Sequence, residues 1–131
     1  MSFGQRKLDR SKPEVDFPQD SVPTELVSTD EILGEGEEAG RGDVVDVHYV
    51  GVSHSTGEQF DASWDRGDTF DFRLGAGQVI QGWDQGLLGM KVGGRRRLEI
   101  PSEMAYGKRG AGAQIGPDEA LIFVVDLLDV R

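Results

Sequence analysis

The sequence predicts an α+β domain with about five antiparallel strands and one substantial helix. Three observations predict it. Phe70, Phe72 and Leu74 alternate with polar residues, as do Val45, Val47 and Tyr49, which is the period of strands with one apolar face. From Val79 onward the apolar residues Val79, Ile80, Trp83, Leu87 and Leu88 fall at helical spacing instead. Gly75 and Gly77 separate the two patterns and permit a turn that bulkier residues would strain.

The chain has 131 residues, enough for one domain with a real core. Residues 1–23 are polar, hold Pro13, Pro18 and Pro23, and read as an extended or flexible arm ahead of a domain spanning 24–131. Val15 and Phe17 alternate around Asp16, so a short strand laid on the domain is an alternative to a mobile tail. Glu25 to Leu33 reads as the first strand, with Leu26, Ile32 and Leu33 as its apolar members. The loop Gly34 to Gly40 is rich in glycine, yet its acidic residues would repel a phosphate. Asp43 to Val52 is the second strand, with His48 on the face opposite Tyr49. Turn residues Ser53 to Glu58 close a hairpin onto a strand carrying Phe60 and Asp61. Ala62 to Asp68 reads as irregular.

Past the helix, Gly89 and Gly93-Gly94 bracket a turn into a strand from Arg95 to Ile100. Its parity puts Arg95 and Arg97 with Glu99, and Arg96 with Leu98 and Ile100. Three arginines on one strand of an acidic protein are expected to pair with its own carboxylates. Pro101 ends that strand, Ser102 to Tyr106 fits a short capped helical turn, and Gly107 to Pro117 is a long loop of the kind that overhangs a cleft. Ala120 to Val130 closes the domain as a strand with Leu121, Phe123, Val125 and Leu127 inward.

Composition narrows the chemistry. There is no cysteine, hence no disulfide, zinc–thiolate site or thiol nucleophile. The net charge of −10 argues against nucleic-acid and anionic-membrane binding. His48 and His54 lack the further ligands a metal site needs, and no cofactor motif or Ser-His-Asp spacing stands out. Arg6, Lys7 and Arg10 are not followed by an apolar run, so a cytoplasmic protein is the expectation. Trp83, on the inward face of a short helix, suits either a core plug or the floor of a pocket.

Val79-Ile80-x-Gly82-Trp83, with Tyr49, Phe60-Asp61, Ala105-Tyr106-Gly107 and Phe123, resembles the active-site set of FKBP-type peptidyl-prolyl isomerases. The resemblance runs from about Thr24 to Val130, in several separated blocks in the right order. It implies a twisted antiparallel sheet wrapped around one short central helix, with Trp83 flooring an apolar, proline-sized pocket. The implied catalytic set is Tyr49, Phe60, Asp61, Trp83, Tyr106 and Phe123. Phe70, Val79, Ile80 and Ile115 are the implied substrate-binding residues, with the Ile80 backbone N–H gripping a carbonyl and Ile115 on the lip of the overhanging loop. For Asp61, a structural pairing with Arg66 stands beside a catalytic role.

The resemblance further implies isomerisation of X-Pro bonds in folding proteins, macrolide binding in the same pocket, no cofactor and a monomer whose partners are proline-containing chains. A non-enzymatic holder of proline peptides is the competing reading, although the hairpin from Gly51 to Phe60 has no room for a chaperone insert. The loop Lys108 to Gln114 departs from the best-known members, which carry bulkier apolar or histidine residues near Ala111 and Gly112. Phe17-Pro18 and Val22-Pro23 in the arm are apolar-proline pairs of the type such a pocket accepts.

Overall fold

The computed structural model describes residues 11–15 and 21–131. Its elements in chain order are β1 (Val27–Ile32), β2 (Val44–Ser53), β3 (Gln59–Ala62), α1 (Ser63–Arg66), β4 (Phe70–Arg73), α2 (Gln81–Gly86), β5 (Arg95–Ile100) and β6 (Leu121–Val130). The strands form one antiparallel sheet in the order β1-β5-β6-β2-β3, and β4 pairs with β2 as well. Among the described residues there are six strands, against about five expected from the sequence.

The two long strands, β2 and β6, lie side by side at the centre. Leu121, Phe123, Val125 and Leu127 face the core as expected, but Ile122, Val124 and Asp126 on the other face are equally buried. The Asp126 carboxylate is held by Arg95 directly opposite on β5, through Nε at 2.7 Å and Nη2 at 2.9 Å. Such a two-pronged pair satisfies the charge that burial would otherwise penalise. Arg96 pairs with Asp30 and Arg97 with Glu99, so the arginine run serves the protein's own carboxylates.

Along its other edge β2 has two partners in succession. Val44 to Val47 pair with β4, and Val50 to Val52 pair with β3. The chain between those partners forms α1, one helical turn ended by Gly67 at φ 73°. The sequence reading of that stretch as irregular is therefore corrected. A single turn is too short to show a helical period.

The central helix has six residues, fewer than the run of apolar positions from Val79 to Leu88. It begins at Gln81, because Ile80 is extended (φ −60°, ψ 152°), and it ends before Leu87 and Leu88. Gly82 and Gly86 bring it close to the sheet: a Cβ on Gly82 would lie 2.5 Å from Ile100, and one on Gly86 would lie 2.8 Å from Leu98. Arg96 reaches from β5 to the far end of this helix and donates to the carbonyls of Gly86 and Leu88, both at 2.9 Å. Those are orphan carbonyls of a helix terminus, satisfied here by a guanidinium.

Three further expectations change. β1 spans only Val27–Ile32 and is exposed throughout, with Leu26 packed on the core while Ile32 and Leu33 face outward. The turn at Ser102–Met104 has Pro101 in its cap position and no side-chain cap. Of the arm, Lys12 is tied to Asp65 of α1 at 2.8 Å and Val15 is half-buried, whereas Phe17 and Pro18 lie outside the described residues.

Candidate active site

The concave side of the sheet, α2 and the turn at Tyr106 enclose a cavity of about 200 Å³. Trp83 projects from α2 into its base and is 4% exposed. Around it stand Tyr49 at 4.9 Å between ring centroids and 81°, Phe123 at 5.2 Å and 82°, and Phe70 at 6.2 Å and 64°. These edge-to-face contacts are the favoured geometry for aromatic pairs. Phe60 extends the wall by a similar contact with Phe123, at 5.5 Å and 88°. The Trp83 Nε1–H is buried and has no hydrogen-bond partner among the described residues.

Five elements or their junctions supply these rings, and local sequence explains how. Phe70 and Phe123 lie on the inward parity of β4 and β6, and Phe60 lies on β3. The turn from β4 into α2 places Val79 and Ile80 along one edge of the cavity. Asp84 fixes that turn, accepting the N–H of Gly75 on Oδ1 and of Gly77 on Oδ2, both at 2.9 Å. Gly75 and Gly77 are at φ 80° and 76°, which a side chain would strain. The Ile80 N–H, just ahead of the helix, has no hydrogen-bond partner among the described residues.

Tyr49 sits where β2 passes from one partner strand to the other, and a hydroxyl fills the gap in the ladder. Ser63, wholly buried, accepts the Tyr49 N–H on Oγ at 2.6 Å and lies 3.3 Å from the Tyr49 carbonyl. His48 Nδ1 is 2.7 Å from the same hydroxyl, and its ring stacks on Trp64 at 4.6 Å. Burial lowers the pKa of His48, against the opposing pull of Asp126 and Asp46.

The polar side of the cavity is a closed set of three. The Tyr49 hydroxyl donates to one oxygen of Asp61, Arg66 Nη1 donates to the other, and Arg66 Nη2 donates to the Tyr49 oxygen at 2.9 Å. The Arg66–Asp61 pairing weighed from sequence is thus formed, and it leaves Asp61 on the cavity wall. Burial first, then the bond to Asp61, raises the pKa of Tyr49, with Arg66 opposing. Tyr106 stands across the mouth, 41% exposed, its pKa raised by burial and then by the Asp61 charge.

The structure brings together Tyr49, Phe60, Asp61, Phe70, Val79, Ile80, Trp83, Tyr106 and Phe123. It does not bring Ile115 among them. Ile115 is 6% exposed within the core cluster, its backbone paired with Ala111, so it is a buried anchor of the loop and not its lip. Sequence reasoning missed Gln78, which lines the cavity while its Oε1 accepts the Arg73 N–H at 2.9 Å. It also missed the supporting Ser63 and Asp84. A lone serine or aspartate in a polar stretch carries no sequence signal of such a task. Val22 and Pro23 do not line the cavity.

The sequence profile of the FKBP-type peptidyl-prolyl cis-trans isomerases matches residues 35–128. The chain is 61% identical over 120 residues to the FK506-binding protein of Streptomyces anulatus, covering 91% of this chain and 97% of that one. It is 51% identical over 105 residues to the FK506-binding protein of Neisseria meningitidis, covering 80% and 95%. The crystal structure of AtFKBP13 superposes with a TM-score of 0.77 at 40% identity, covering 84% of this chain and 96% of that one. The chain belongs to the FKBP-type family and is a peptidyl-prolyl cis-trans isomerase.

Proposed function

We propose that the protein accelerates isomerisation of apolar-residue–proline bonds in folding chains, and that macrolides of the FK506 type compete for the same cavity. The observation that carries this reading is the aromatic cavity: a recess of about 200 Å³, roomy enough for a prolyl ring, floored by Trp83 and walled by the edges of Tyr49 and Phe123.

The chemistry asks for no covalent step. Amide resonance sets a barrier of roughly 18–20 kcal/mol, and uncatalysed X-Pro exchange takes on the order of tens to hundreds of seconds. The planar amide is more polar than the twisted transition state and loses more on leaving water. A dry aromatic recess therefore narrows the gap between them, about tenfold in rate for each 1.4 kcal/mol. In this reading Trp83 holds the ring, the Ile80 N–H and the Tyr106 hydroxyl take the flanking carbonyls, and Asp61 keeps Tyr49 in place. Each Asp61 oxygen already accepts a hydrogen bond, from Tyr49 and from Arg66, which supports a positioning role over proton transfer.

Competition tests the reading. A macrolide titrated against a turning-over Leu-Pro peptide is expected to suppress catalysis competitively while shifting the Trp83 indole resonance. Full catalysis at saturating macrolide, with no shift at Trp83, would contradict the shared cavity.

A further inference from the structure

Lys108 and Arg109 lie on the 3-10 turn Gly107–Arg109, which starts directly after the cavity-lining Tyr106. Both are exposed. Arg66, Arg95, Arg96, Arg97 and Arg131 each hold a carboxylate. Lys108 and Arg109, like Arg41, Arg73 and Lys91, form no ion pair among the described residues, although Glu103, Asp118 and Glu119 are near in sequence. Glu119 is engaged elsewhere, accepting the Ser55 N–H at 3.0 Å and its hydroxyl at 2.8 Å.

The turn is pinned in place. Gly110 N–H donates to the Tyr106 carbonyl at 3.2 Å, and Asp118 N–H donates to the Gly107 carbonyl at 2.9 Å. Ala111 and Ile115 exchange two backbone bonds, at 2.8 and 3.2 Å. Gly110, at φ 67°, packs so closely that a Cβ would meet the Ile115 carbonyl at 2.3 Å. Two unpaired cations are thus carried on a fixed backbone next in sequence to the cavity-lining Tyr106, in a protein whose net charge is −10.

We propose that Lys108 and Arg109 are specificity-determining residues that favour proline peptides with an acidic side chain close to the proline. The proposal rests on the isomerase reading of the cavity and adds the substrate class. An acidic protein repels acidic chains on average, and two exposed cations on the turn after Tyr106 offset that repulsion locally. Rim charges act mainly on encounter and are weakened by salt. Two exposed charge contacts amount to about two- to tenfold in kcat/KM.

The test scans Glu, Gln and Lys through the positions flanking a Leu-Pro pair and measures catalysed exchange and binding at low and high salt. Wild type, the Lys108→Ala/Arg109→Ala variant and the Lys108→Glu/Arg109→Glu variant are compared. The wild type is expected to prefer Glu over Gln by about two- to tenfold at one or more positions, less so at high salt. The alanine variant is expected to lose that preference, and the glutamate variant to favour the Lys peptide. All three are expected to handle the Gln peptide alike, which shows the cavity intact. Equal use of Glu and Gln peptides by the wild type at every position would overturn the proposal while leaving the isomerase reading standing. So would a preference that survives charge reversal. Failure to turn over or bind even the Gln peptide would overturn both.

Discussion

Gly51 of β2 faces Phe123 of β6 across the central ladder, and a Cβ on Gly51 would stand 2.6 Å from the Phe123 ring. The same Cβ would stand 2.6 Å from the tip of Phe60. Two walls of the cavity thus close over a position that has no side chain. Gly51→Ala is expected to push both rings into the cavity and to destabilise by about 1–3 kcal/mol, the usual cost of overpacking. Thermal melting with peptide turnover checks this. Undiminished turnover would show that the two rings do not shape the site.

The aromatic walls and the polar trio should separate on mutation. Trp83→Ala and Phe123→Ala remove buried rings and are expected to cost about 3–5 kcal/mol, with activity falling alongside stability. Asp61→Ala breaks a pair more than a third exposed, so its cost should stay near 1 kcal/mol or below. Rate or ligand affinity should change nonetheless, because Tyr49 loses its acceptor. Equal melting temperatures for the three variants would contradict this division of roles.

Ser63→Ala leaves the Tyr49 N–H without its partner inside the protein, where an unsatisfied backbone group costs about 1–3 kcal/mol. Hydrogen exchange at the Tyr49 amide is expected to quicken. An amide equally protected in Ser63→Ala would show that the hydroxyl does not complete the ladder.

The pH dependence follows from His48 and the two tyrosines. Burial holds the folded pKa of His48 below the ordinary histidine value of 6.5, so the unfolded chain binds the proton more tightly. The stability tied to neutral His48 is therefore complete above about pH 6.5 and declines as pH falls below it. His48→Gln is expected to flatten that part of the stability profile, as urea melts from pH 4.5 to 8 would read. Tyr49 and Tyr106 have pKa values raised above 10.0, so turnover should be level from about pH 7 to 9. A titration of kcat/KM within that window would assign the site an ionising group it is not expected to have.

Much of this was legible in the residues, for identifiable reasons. β5 was read with its limits, Arg95 to Ile100, because Pro101 terminates it and the glycine pair precedes it. The inward parity of β2 and β4 came from alternation of large apolar residues with polar ones. The long-range order, with β6 between β5 and β2, leaves no trace in local periodicity. Val79 and Ile80 sit at helical spacing with Trp83 but precede α2, Val79 in a bend and Ile80 on extended backbone, because both line the cavity. The lip position of Ile115 comes from the resemblance alone, and the structure buries this residue in the core cluster. Gln78, Ser63 and Asp84 act through hydrogen bonds to distant backbone, which no spacing rule encodes.

The central claim is that the cavity floored by Trp83 catalyses X-Pro exchange. Two-dimensional NMR exchange of a Leu-Pro peptide, with and without a catalytic amount of the protein, measures it most directly. The account predicts cis and trans exchange cross-peaks that appear only with the protein and vanish when macrolide fills the cavity. Exchange rates identical with and without the protein, in a sample whose Trp83 resonance shows the fold intact, would contradict it.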